Sequence, residues 1–505
     1  MTRVAGACDS TNVDSSSEEP IGEFNGSAIV KKRYQSPLAE SLIGWSLFTV
    51  LALKESQLSI CTFLCGALLS EHLIIYRNHR IPGTRVSDSP AGAWLISLVP
   101  IILSFHDKTI ALNLISASLG AFVLLSFLYT SGTSTAIHLS LWFICARVTY
   151  LTPTFNILLT FLFVLLLSIE LLSSYVGSLT IWEAILLAQI CFAFHTNTVF
   201  FIIPLLCVYT IGRFKMAPSS MTFGTLSISA MWLWSLLSDV VDHLVDEESY
   251  FDPMSVLHFE PLQFITDLIT PLNILLVTTV WAPLCVVAVL VVAYFSQGVN
   301  GSNKTPFALR KLFHLLAGVV YATGLLVSPT LLSVAAVCVL LAFFLIEWTR
   351  RSGPPVASKF LNDVLGPFRD LRDSGELIFT PIALLLGLSL PVWNFCYSWP
   401  QDDPIPPQAW SGVITIALGD SVAALVGRQW GHLWFCWPGT HRTLIGSGAS
   451  FVSQMLLWVG LAAFYGWPWR SGVLPLAFGV LAEAYTEQID NLAIPLLVMS
   501  LWPSS

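Results

Sequence analysis

The sequence predicts an all-α, polytopic integral membrane protein with about 14 or 15 transmembrane helices. Its 505 residues are 55% hydrophobic and only 11% charged, whereas soluble domains carry about 25% charged residues. Apolar runs of about 20 residues, the length that crosses a ~30 Å hydrocarbon layer, recur from near residue 38 to the C-terminus. Because these runs are continuous rather than alternating, and because lipid offers no partner to open backbone groups, helices are predicted rather than β-strands.

Four segments follow one another along the chain. Residues 1–35 form a polar tail rich in Ser, Asp and Glu, which is predicted to be disordered. A transmembrane bundle is predicted at 36–240, an acidic loop at 241–271, and a second transmembrane domain that carries the chemistry at 272–505. The clearest apolar runs lie at 58–77, 109–130, 155–175, 272–295, 329–348 and 445–466.

The basic residues of the C-terminal half indicate which side faces the cytoplasm. Helical hairpins are predicted at 311–348, 377–427 and 445–486, so the segments that join them fall on one side. Those segments contain most bases of this half, namely Lys304, Arg310, Lys311, Arg350, Arg351, Lys359, Arg369, Arg372, Arg428 and Arg442. The acidic loop falls on the opposite side, so the positive-inside rule makes the basic side cytoplasmic and the acidic loop lumenal. A binding surface for a polyanionic cytosolic molecule is one interpretation, and simple topological anchors are the alternative.

A carboxylate at the end of a predicted span is the first candidate functional residue. Asp420 lies in the run GDSVAALVG at 419–427, and an aspartate at the centre of a spanning helix costs about 2.5–3.5 kcal/mol. Ala423 and Gly427 follow at i+3 and i+7, so small residues leave space beside the carboxylate, as in a pocket or a metal site. Close packing of helices through small residues is the alternative for the small residues, but it does not explain the aspartate.

The segment at 433–450 supplies groups suited to a phosphate chain. Glycines let a backbone approach phosphate oxygens, and N–H groups at a helix N-terminus favour anions. The candidates in this segment are Gly439, Thr440, His441, Arg442, Thr443 and Gly446. The alternative is an ordinary turn before a helix, since no GxxxxGK[ST] motif is present.

Further carboxylates and bases lie near the same predicted face. Glu483 and Asp490 are separated by seven residues, at helical spacing, and Asn491 follows them. Carboxylates of this kind hold Mg²⁺ and orient the acceptor in metal-assisted phosphoryl transfer, while a solvated turn is the alternative. Two further pairs at helical spacing lie at the ends of spans, namely Arg310 with His314, and Glu347 with Arg350. An interfacial anchor is the alternative for the second pair.

These motifs together resemble the dolichol kinases, within the wider polyprenol kinase family. The resemblance covers about residues 300 to 497. It rests on RKLFH (310–314), the helix end with Glu347 and Arg350, ELIFTPIALLLGLSLPVW (376–393), GDSVAALVG (419–427), WPGTHRT (437–443) and EAYTEQIDN (483–491).

The resemblance implies transfer of the γ-phosphate of CTP to the terminal hydroxyl of dolichol, at the cytoplasmic face of the endoplasmic reticulum membrane. The product would be dolichyl phosphate, the lipid carrier for protein glycosylation. The pattern that the family associates with CTP binding is kept here by Asp420, Ala423, Gly427, Gly431, Gly439, Thr440, Thr443 and Gly446. His441 and Arg442 stand where the pattern has lysines, and Ile445 stands where it has a glutamate.

Each candidate residue has an expected role in this reaction. Asp420 is expected to bind Mg²⁺ with help from Asp490 or Glu483, and one of these carboxylates is expected to accept the proton of the acceptor. The positive charges expected to neutralise the triphosphate are Arg310, Lys311, Arg350 and Arg442, and the remaining contacts expected in the nucleotide site are those of His314, Glu347, His441 and Asn491. Three alternatives stay open: a CTP-dependent kinase of phytol or diacylglycerol, a CTP-using lipid cytidylyltransferase, and a transporter.

Overall fold

Most of the residues that the structure describes lie in helices. The structure is a computed structural model that describes residues 37–52, 58–77, 84–85, 92–105, 108–129, 155–193, 269–297, 307–365, 375, 377–396, 405–431, 435–438, 440 and 442–502. The predicted tail at 1–35 and nearly all of the predicted acidic loop at 241–271 lie outside these residues. Within them there is no β-strand, and one isolated antiparallel bridge joins Cys436 to Thr443. The all-α prediction is confirmed.

The helices fall into an N-terminal and a C-terminal group. The first group comprises α1 (Pro37–Ala52), α2 (Leu58–Arg77), α3 (Ala93–Leu103), α4 (Lys108–Tyr129), α5 (Phe155–Ser174) and α6 (Ile181–Ala193). The second group comprises α7 (271–297), α8 (Phe307–Val327), α9 (Pro329–Ser352), α10 (Pro355–Leu365), α11 (Thr380–Cys396), α12 (Pro407–Trp430), α13 (Leu444–Tyr465), α14 (Val473–Tyr485) and α15 (Asp490–Leu501).

Six helices in the described ranges are long and apolar enough to cross a membrane. They are Lys108–Leu125, Pro271–Val291, Arg310–Val327, Pro329–Arg351, Pro407–Trp430 and Leu444–Tyr465. Shorter apolar helices accompany them in both groups. The prediction of a multi-pass membrane protein is therefore confirmed. The predicted number of spans stays a prediction, because apolar stretches within 130–154 and 194–240 lie outside the described residues.

Helix α12 lies at the centre of the C-terminal group, and α7 lies at its edge. Helix α12 packs against α8, α11, α13, α14 and α15, and its residues from Val413 to Ala417 are buried. Helix α7 instead exposes apolar side chains from Leu272 to Leu290, with Val289 66% and Leu290 62% exposed. An apolar helix with an exposed surface of this kind faces lipid. Asp420 is therefore carried by a helix that other helices surround.

Standard capping interactions fix both ends of α13, the helix that covers α12. The Thr443 side chain accepts a hydrogen bond from the Gly446 N–H, 3.2 Å away, which is the usual N-cap interaction. At the other end, Gly466 adopts a left-handed conformation with φ of 77°, which stops the helix. These caps set where α13 begins relative to the end of α12.

The N-terminal group is packed against the C-terminal group through helices and through one turn. Helix α15 packs against α3, and α1 packs against α14. At the turn between α5 and α6, Ser178 Oγ accepts a hydrogen bond of 3.1 Å from the Leu377 N–H, and the Arg351 guanidinium lies 5.1 Å from the centre of the Tyr175 ring. Because Arg351 belongs to a segment predicted to be cytoplasmic, this turn lies on the same side of the molecule as the predicted site.

Candidate active site

A buried ion pair explains how Asp420 is tolerated in a spanning helix. Its Oδ2 atom lies 2.5 Å from Lys311 Nζ and 3.4 Å from His314 Nε2, and all three side chains are at most 12% exposed. The His314 Nδ1 atom lies 2.8 Å from the Arg310 carbonyl oxygen, to which it donates a hydrogen bond. Helix α8 thus supplies a cation directly opposite the carboxylate of α12, and pairing of this kind offsets the desolvation of both charges.

A second set of charges lies where α14, α15 and the loop before α13 meet. One guanidinium nitrogen of Arg442 lies 3.2 Å from Asp490 Oδ2, and the other lies 3.8 Å from Glu483 Oε1. The second oxygen of Asp490 accepts a hydrogen bond of 2.9 Å from the Asn491 N–H. Arg442 is the more accessible member, since its side chain is 39% exposed. It therefore bridges two carboxylates and still reaches solvent.

The two sets form one continuous charged site. Asp490 lies close enough to interact electrostatically with Asp420 and His314, and Glu483 does so with Asp420 and Lys311. Three carboxylates and three basic side chains thus come together from α8, α12, α14, α15 and the loop before α13. The structure brings together residues that the parity of the spans predicted on one cytoplasmic face, while their individual roles stay predictions.

The helix that carries Asp420 is wound as a π-helix just before the carboxylate. Residues Val413–Asp420 adopt this wider winding, which leaves backbone groups without their usual α-helical partners. Ser450 Oγ donates a hydrogen bond of 3.0 Å to the Gly419 carbonyl oxygen, and Gln454 Nε2 donates one of 2.9 Å to Ser450 Oγ. A Cβ atom on Gly419 would clash with Gln454 Nε2. The sequence patterns above did not single out Ser450 and Gln454 of α13. Two polar side chains at i, i+4 spacing in an apolar helix nevertheless indicate a functional or structural site.

The loop before α13 is a compact, internally hydrogen-bonded turn. The Trp437 N–H donates to the Arg442 carbonyl oxygen over 2.9 Å, and the Arg442 N–H donates to Thr440 Oγ1 over 3.2 Å. Gly439 and His441, both predicted to contact the nucleotide, lie outside the described residues. The turn fixes the backbone of Arg442, so its side chain is directed at the carboxylates by a defined loop.

The glycines at the end of α12 and the start of α13 let these helices pack closely. A Cβ atom on Gly446 would lie 2.8 Å from the Ala423 carbonyl oxygen, and one on Gly431 would lie 2.7 Å from Thr443 Cγ2. The corresponding atom on Gly427 would lie 3.0 Å from Thr443 Oγ1. Helix packing, the alternative considered from the sequence, therefore accounts for these small residues. Their contact with a nucleotide stays a prediction.

Two of the first three backbone donors of α13 have partners. The Leu444 N–H donates to the Phe435 carbonyl oxygen over 3.0 Å, and the Gly446 N–H donates to Thr443 Oγ1. A helix N-terminus with its first donors satisfied offers less to a phosphate than one with free N–H groups. Positive side chains, rather than this backbone, are thus the main means of holding an anion here.

Glu347 and Arg350 form a separate pair that holds the turn between α9 and α10. Arg350 Nε donates to Glu347 Oε2 over 2.8 Å, and its Nη1 donates to Asn362 Oδ1 over 3.0 Å. Glu347 also accepts from the Ile378 N–H over 3.3 Å, and Ser358 Oγ donates to the Arg350 carbonyl oxygen over 2.5 Å. These contacts give the pair a structural role within the protein, while an interfacial anchor and a contact with the triphosphate both stay predictions.

Replacing Gly446 with alanine tests the close packing of α12 on α13. We expect Gly446→Ala to lower the free energy of unfolding by about 1–3 kcal/mol, because the added methyl meets the Ala423 carbonyl oxygen. Gly448→Ala is the matched control two residues along the same helix, because a Cβ atom there would meet nothing within 4 Å. We expect that control to be neutral or stabilised by about 0.5–1 kcal/mol. Thermal unfolding of the two variants in detergent measures the difference, and equal stabilities would contradict close packing at Gly446.

Comparison with curated proteins finds a partial similarity to dolichol kinases. The chain is 34% identical to dolichol kinases of Mus musculus and Homo sapiens over 236 residues, and 32% identical to one of Arabidopsis thaliana over 240 residues. The chain is thus similar to dolichol kinases over less than half of its length. The mammalian matches cover 44% of this chain, and the chain spans 43% of the length of those relatives. No protein-family model matches the chain, and no solved structure matches it.

The carboxylates of the site could hold a magnesium ion only together with other ligands. In the described residues, no group of three or more His, Cys, Asp and Glu side chains is gathered closely enough to enclose a metal ion. Mg²⁺ is commonly held by only one or two carboxylates, with waters and substrate phosphates as the other ligands. Asp420 and Asp490 can provide such a pair once phosphate oxygens compete for the bases that now contact them.

Proposed function

We propose that the chain is a CTP-dependent dolichol kinase, which transfers the γ-phosphate of CTP to the terminal hydroxyl of dolichol. The buried contact between Lys311 and Asp420, at the cytoplasmic end of a span, carries the proposal. Phosphoryl transfer depends mainly on positioning and on electrostatic stabilisation of a polyanion, and this site offers three carboxylates and three bases around one point. The partial similarity to dolichol kinases supports dolichol as the acceptor.

Lys311, Arg442 and Arg310 hold the triphosphate in this proposal. Lys311 and Arg442 now face carboxylates, so their ammonium and guanidinium groups already point into the site. A bound triphosphate offers oxygens that compete for both groups, and charge-assisted contacts of this type are the strong hydrogen bonds of proteins. Arg442 reaches furthest towards solvent, so it makes the first contact with the arriving nucleotide.

In this proposal, Asp420 and Asp490 would hold Mg²⁺, and Glu483 would accept the proton of the acceptor hydroxyl. The ion supplies neutralisation of the negative charge on the phosphates during transfer. Glu483 is the least neutralised carboxylate, because its nearest base is 3.8 Å away, while Asp420 and Asp490 have bases at 2.5 and 3.2 Å. It therefore keeps the strongest tendency to take up a proton from the dolichol hydroxyl.

Dolichol reaches the site from the side, through the lipid. On α8, Lys311 and His314 are buried against α12, whereas Leu312 and Leu315 are 37% and 36% exposed. One helix thus presents apolar side chains to the bilayer and charged side chains to the site. A long polyprenol lying along the exposed face brings its terminal hydroxyl to the cytoplasmic membrane surface without entering water. In this proposal the reaction takes place on the cytoplasmic face of the endoplasmic reticulum membrane.

An assay of purified protein tests the proposed function and separates it from the alternatives. Labelled CTP is offered with dolichol, phytol or diacylglycerol as the acceptor, and ATP replaces CTP in a parallel series. We expect label on dolichol, with release of CDP, and much weaker reaction with the other acceptors and with ATP. Release of diphosphate would identify a cytidylyltransferase instead. No phosphoryl transfer to any lipid alcohol would remove the proposal and favour the transporter.

Replacing Arg442 tests its contact with the nucleotide. We expect Arg442→Ala to raise the KM for CTP by about 10- to 100-fold, because a charge-assisted hydrogen bond contributes about 1.5–3 kcal/mol. Arg428→Ala is the control, since it removes the same charge from an exposed position on the same side of the molecule. Steady-state kinetics at saturating dolichol measure both. An equal rise of the KM in the two variants would show that Arg442 acts only through general surface charge.

A further inference from the structure

The loop that precedes Asp490 is bound by residues of the N-terminal group. Residues 486–489 connect α14 to α15, and Asp490 comes directly after them. Glu183 Oε1, on α6, accepts a hydrogen bond of 2.9 Å from the Ile489 N–H. Arg85 Nη2 lies 3.1 Å from the same Glu183 oxygen and donates over 3.3 Å to the Glu487 carbonyl oxygen. Two charged side chains from a distant part of the sequence thus bind the backbone next to a proposed magnesium ligand.

The same loop is fixed a second time through the N-terminus of α6. Thr180 Oγ1 accepts from the Glu183 N–H over 3.0 Å, and Glu183 Oε2 accepts from the Thr180 N–H over 2.9 Å, which is a capping box. Thr180 Oγ1 also donates to Gln488 Oε1 over 2.8 Å. Gly92, with φ of 142°, lies close against Gln488, since a Cβ atom there would be 2.9 Å from Gln488 Nε2. Glu183 is therefore rigid in its own helix before it binds the loop.

Burial makes these contacts strong and local. The side chains of Arg85 and Glu183 are 1% and 2% exposed, and removal of one partner from such a pair leaves an uncompensated buried charge. Both oxygens of Glu183 are used, one by its own helix and one by the pair and the loop. A carboxylate that served only to cap α6 would not need to reach Ile489.

We propose that Glu183, Arg85 and Thr180 are positioning residues that hold Asp490 in place for phosphoryl transfer. The proposal rests on the proposed function, in which Asp490 is a ligand of Mg²⁺. Outer-shell groups of this kind orient a metal ligand without touching the ion. The N-terminal group thus helps to position a proposed magnesium ligand, although the residues proposed to bind substrate all lie in the C-terminal group.

Hydrogen exchange of the full-length protein tests the contact without any assay of activity. The double variant Arg85→Met with Glu183→Gln removes both buried charges together. We expect the amides of residues 486–490 to exchange about 10-fold faster or more, because they lose a hydrogen bond to a charged group. Exchange in α13 is expected to stay as in the wild type. Unchanged exchange at 486–490 would overturn the proposal whether or not the protein phosphorylates dolichol.

The magnesium dependence of the reaction provides the second measurement. We expect the Mg²⁺ concentration for half-maximal rate to rise by about 10- to 100-fold in the double variant, as found when outer-shell partners are removed. A purely structural role would lower the amount of active enzyme and leave that concentration unchanged, which would overturn the proposal. If the wild-type protein transfers no phosphate, the proposed function fails, and the hydrogen-exchange result still decides the contact.

A milder pair of variants decides the matter if the double variant does not fold. Thr180→Val removes the hydroxyl that binds Gln488 and keeps the shape of the side chain, whereas Thr180→Ser keeps the hydroxyl. We expect the valine variant to show faster exchange at 486–490 and a higher magnesium requirement. The serine variant is expected to behave as the wild type. Identical behaviour of the two variants would overturn the proposal.

Discussion

Asp420→Asn is expected to lower kcat/KM for dolichol phosphorylation by about 10³-fold, the loss typical of removing one preorganised electrostatic group. The amide is nearly the same size as the carboxylate, and its oxygen can still accept from Lys311, so we expect the fold to persist. The variant loses the negative charge that binds Mg²⁺ in the proposed reaction. Steady-state kinetics with CTP and dolichol measure the effect, and a thermal unfolding curve checks that the variant is folded.

The control for this variant is Asp363→Asn on α10. Asp363 is an exposed carboxylate of the same group of helices and lies outside the site, so its replacement is expected to leave kcat/KM within about twofold. If Asp420→Asn keeps activity similar to that of the control, Asp420 is only a buried partner of Lys311, and the metal site has to be sought elsewhere.

Lys311→Met is expected to be the most destabilising single substitution in this site. It leaves Asp420 buried without its nearest cation, and breaking one side of a buried pair costs about 3–5 kcal/mol. It also removes a base proposed to hold the triphosphate, so activity is lost together with stability. Thermal unfolding in detergent, followed by CTP binding at a temperature where the variant is folded, separates the two effects.

The double variant Lys311→Met with Asp420→Asn distinguishes the structural and the chemical contributions. With both charges removed, no uncompensated group remains, and replacing a buried ion pair by neutral groups is often nearly neutral for stability. We therefore expect recovery of most of the lost stability with no recovery of activity. A double variant as unstable as Lys311→Met alone would show that the two side chains do not act as a pair.

Sequence patterns could predict the helices and the main charged residues of the site. Long apolar runs determined the fold class, because lipid permits few other structures. Parity of the spans brought Lys311, Asp420, Arg442, Glu483 and Asp490 to one side, and the structure places them around one point. This part succeeded because it required only the direction of each helix and the cost of placing a charge in a membrane.

The contacts that hold these residues could not be predicted in the same way. Glu183 and Ile489 are 306 positions apart, and no local pattern in either segment refers to the other. The functions of Gly427 and Gly446 were ambiguous, because a glycine that admits a phosphate and one that admits a helix backbone look alike in a sequence. Only the position of Ala423 against Gly446 shows that the second requirement applies here.

Because the helix is wound as a π-helix before Asp420, the site depends on how many residues this stretch contains as well as on their type. An α-helix turns about 100° per residue, so the extra residue in each wide turn rotates all later residues of the helix about its axis. Deleting one residue between Val413 and Gly419 would let the α-helix reform and swing Asp420 away from α8. The span would keep its hydropathy and its aspartate but lose the ion pair. When this chain is aligned with other sequences, a gap of one position in this stretch therefore matters more than several apolar substitutions.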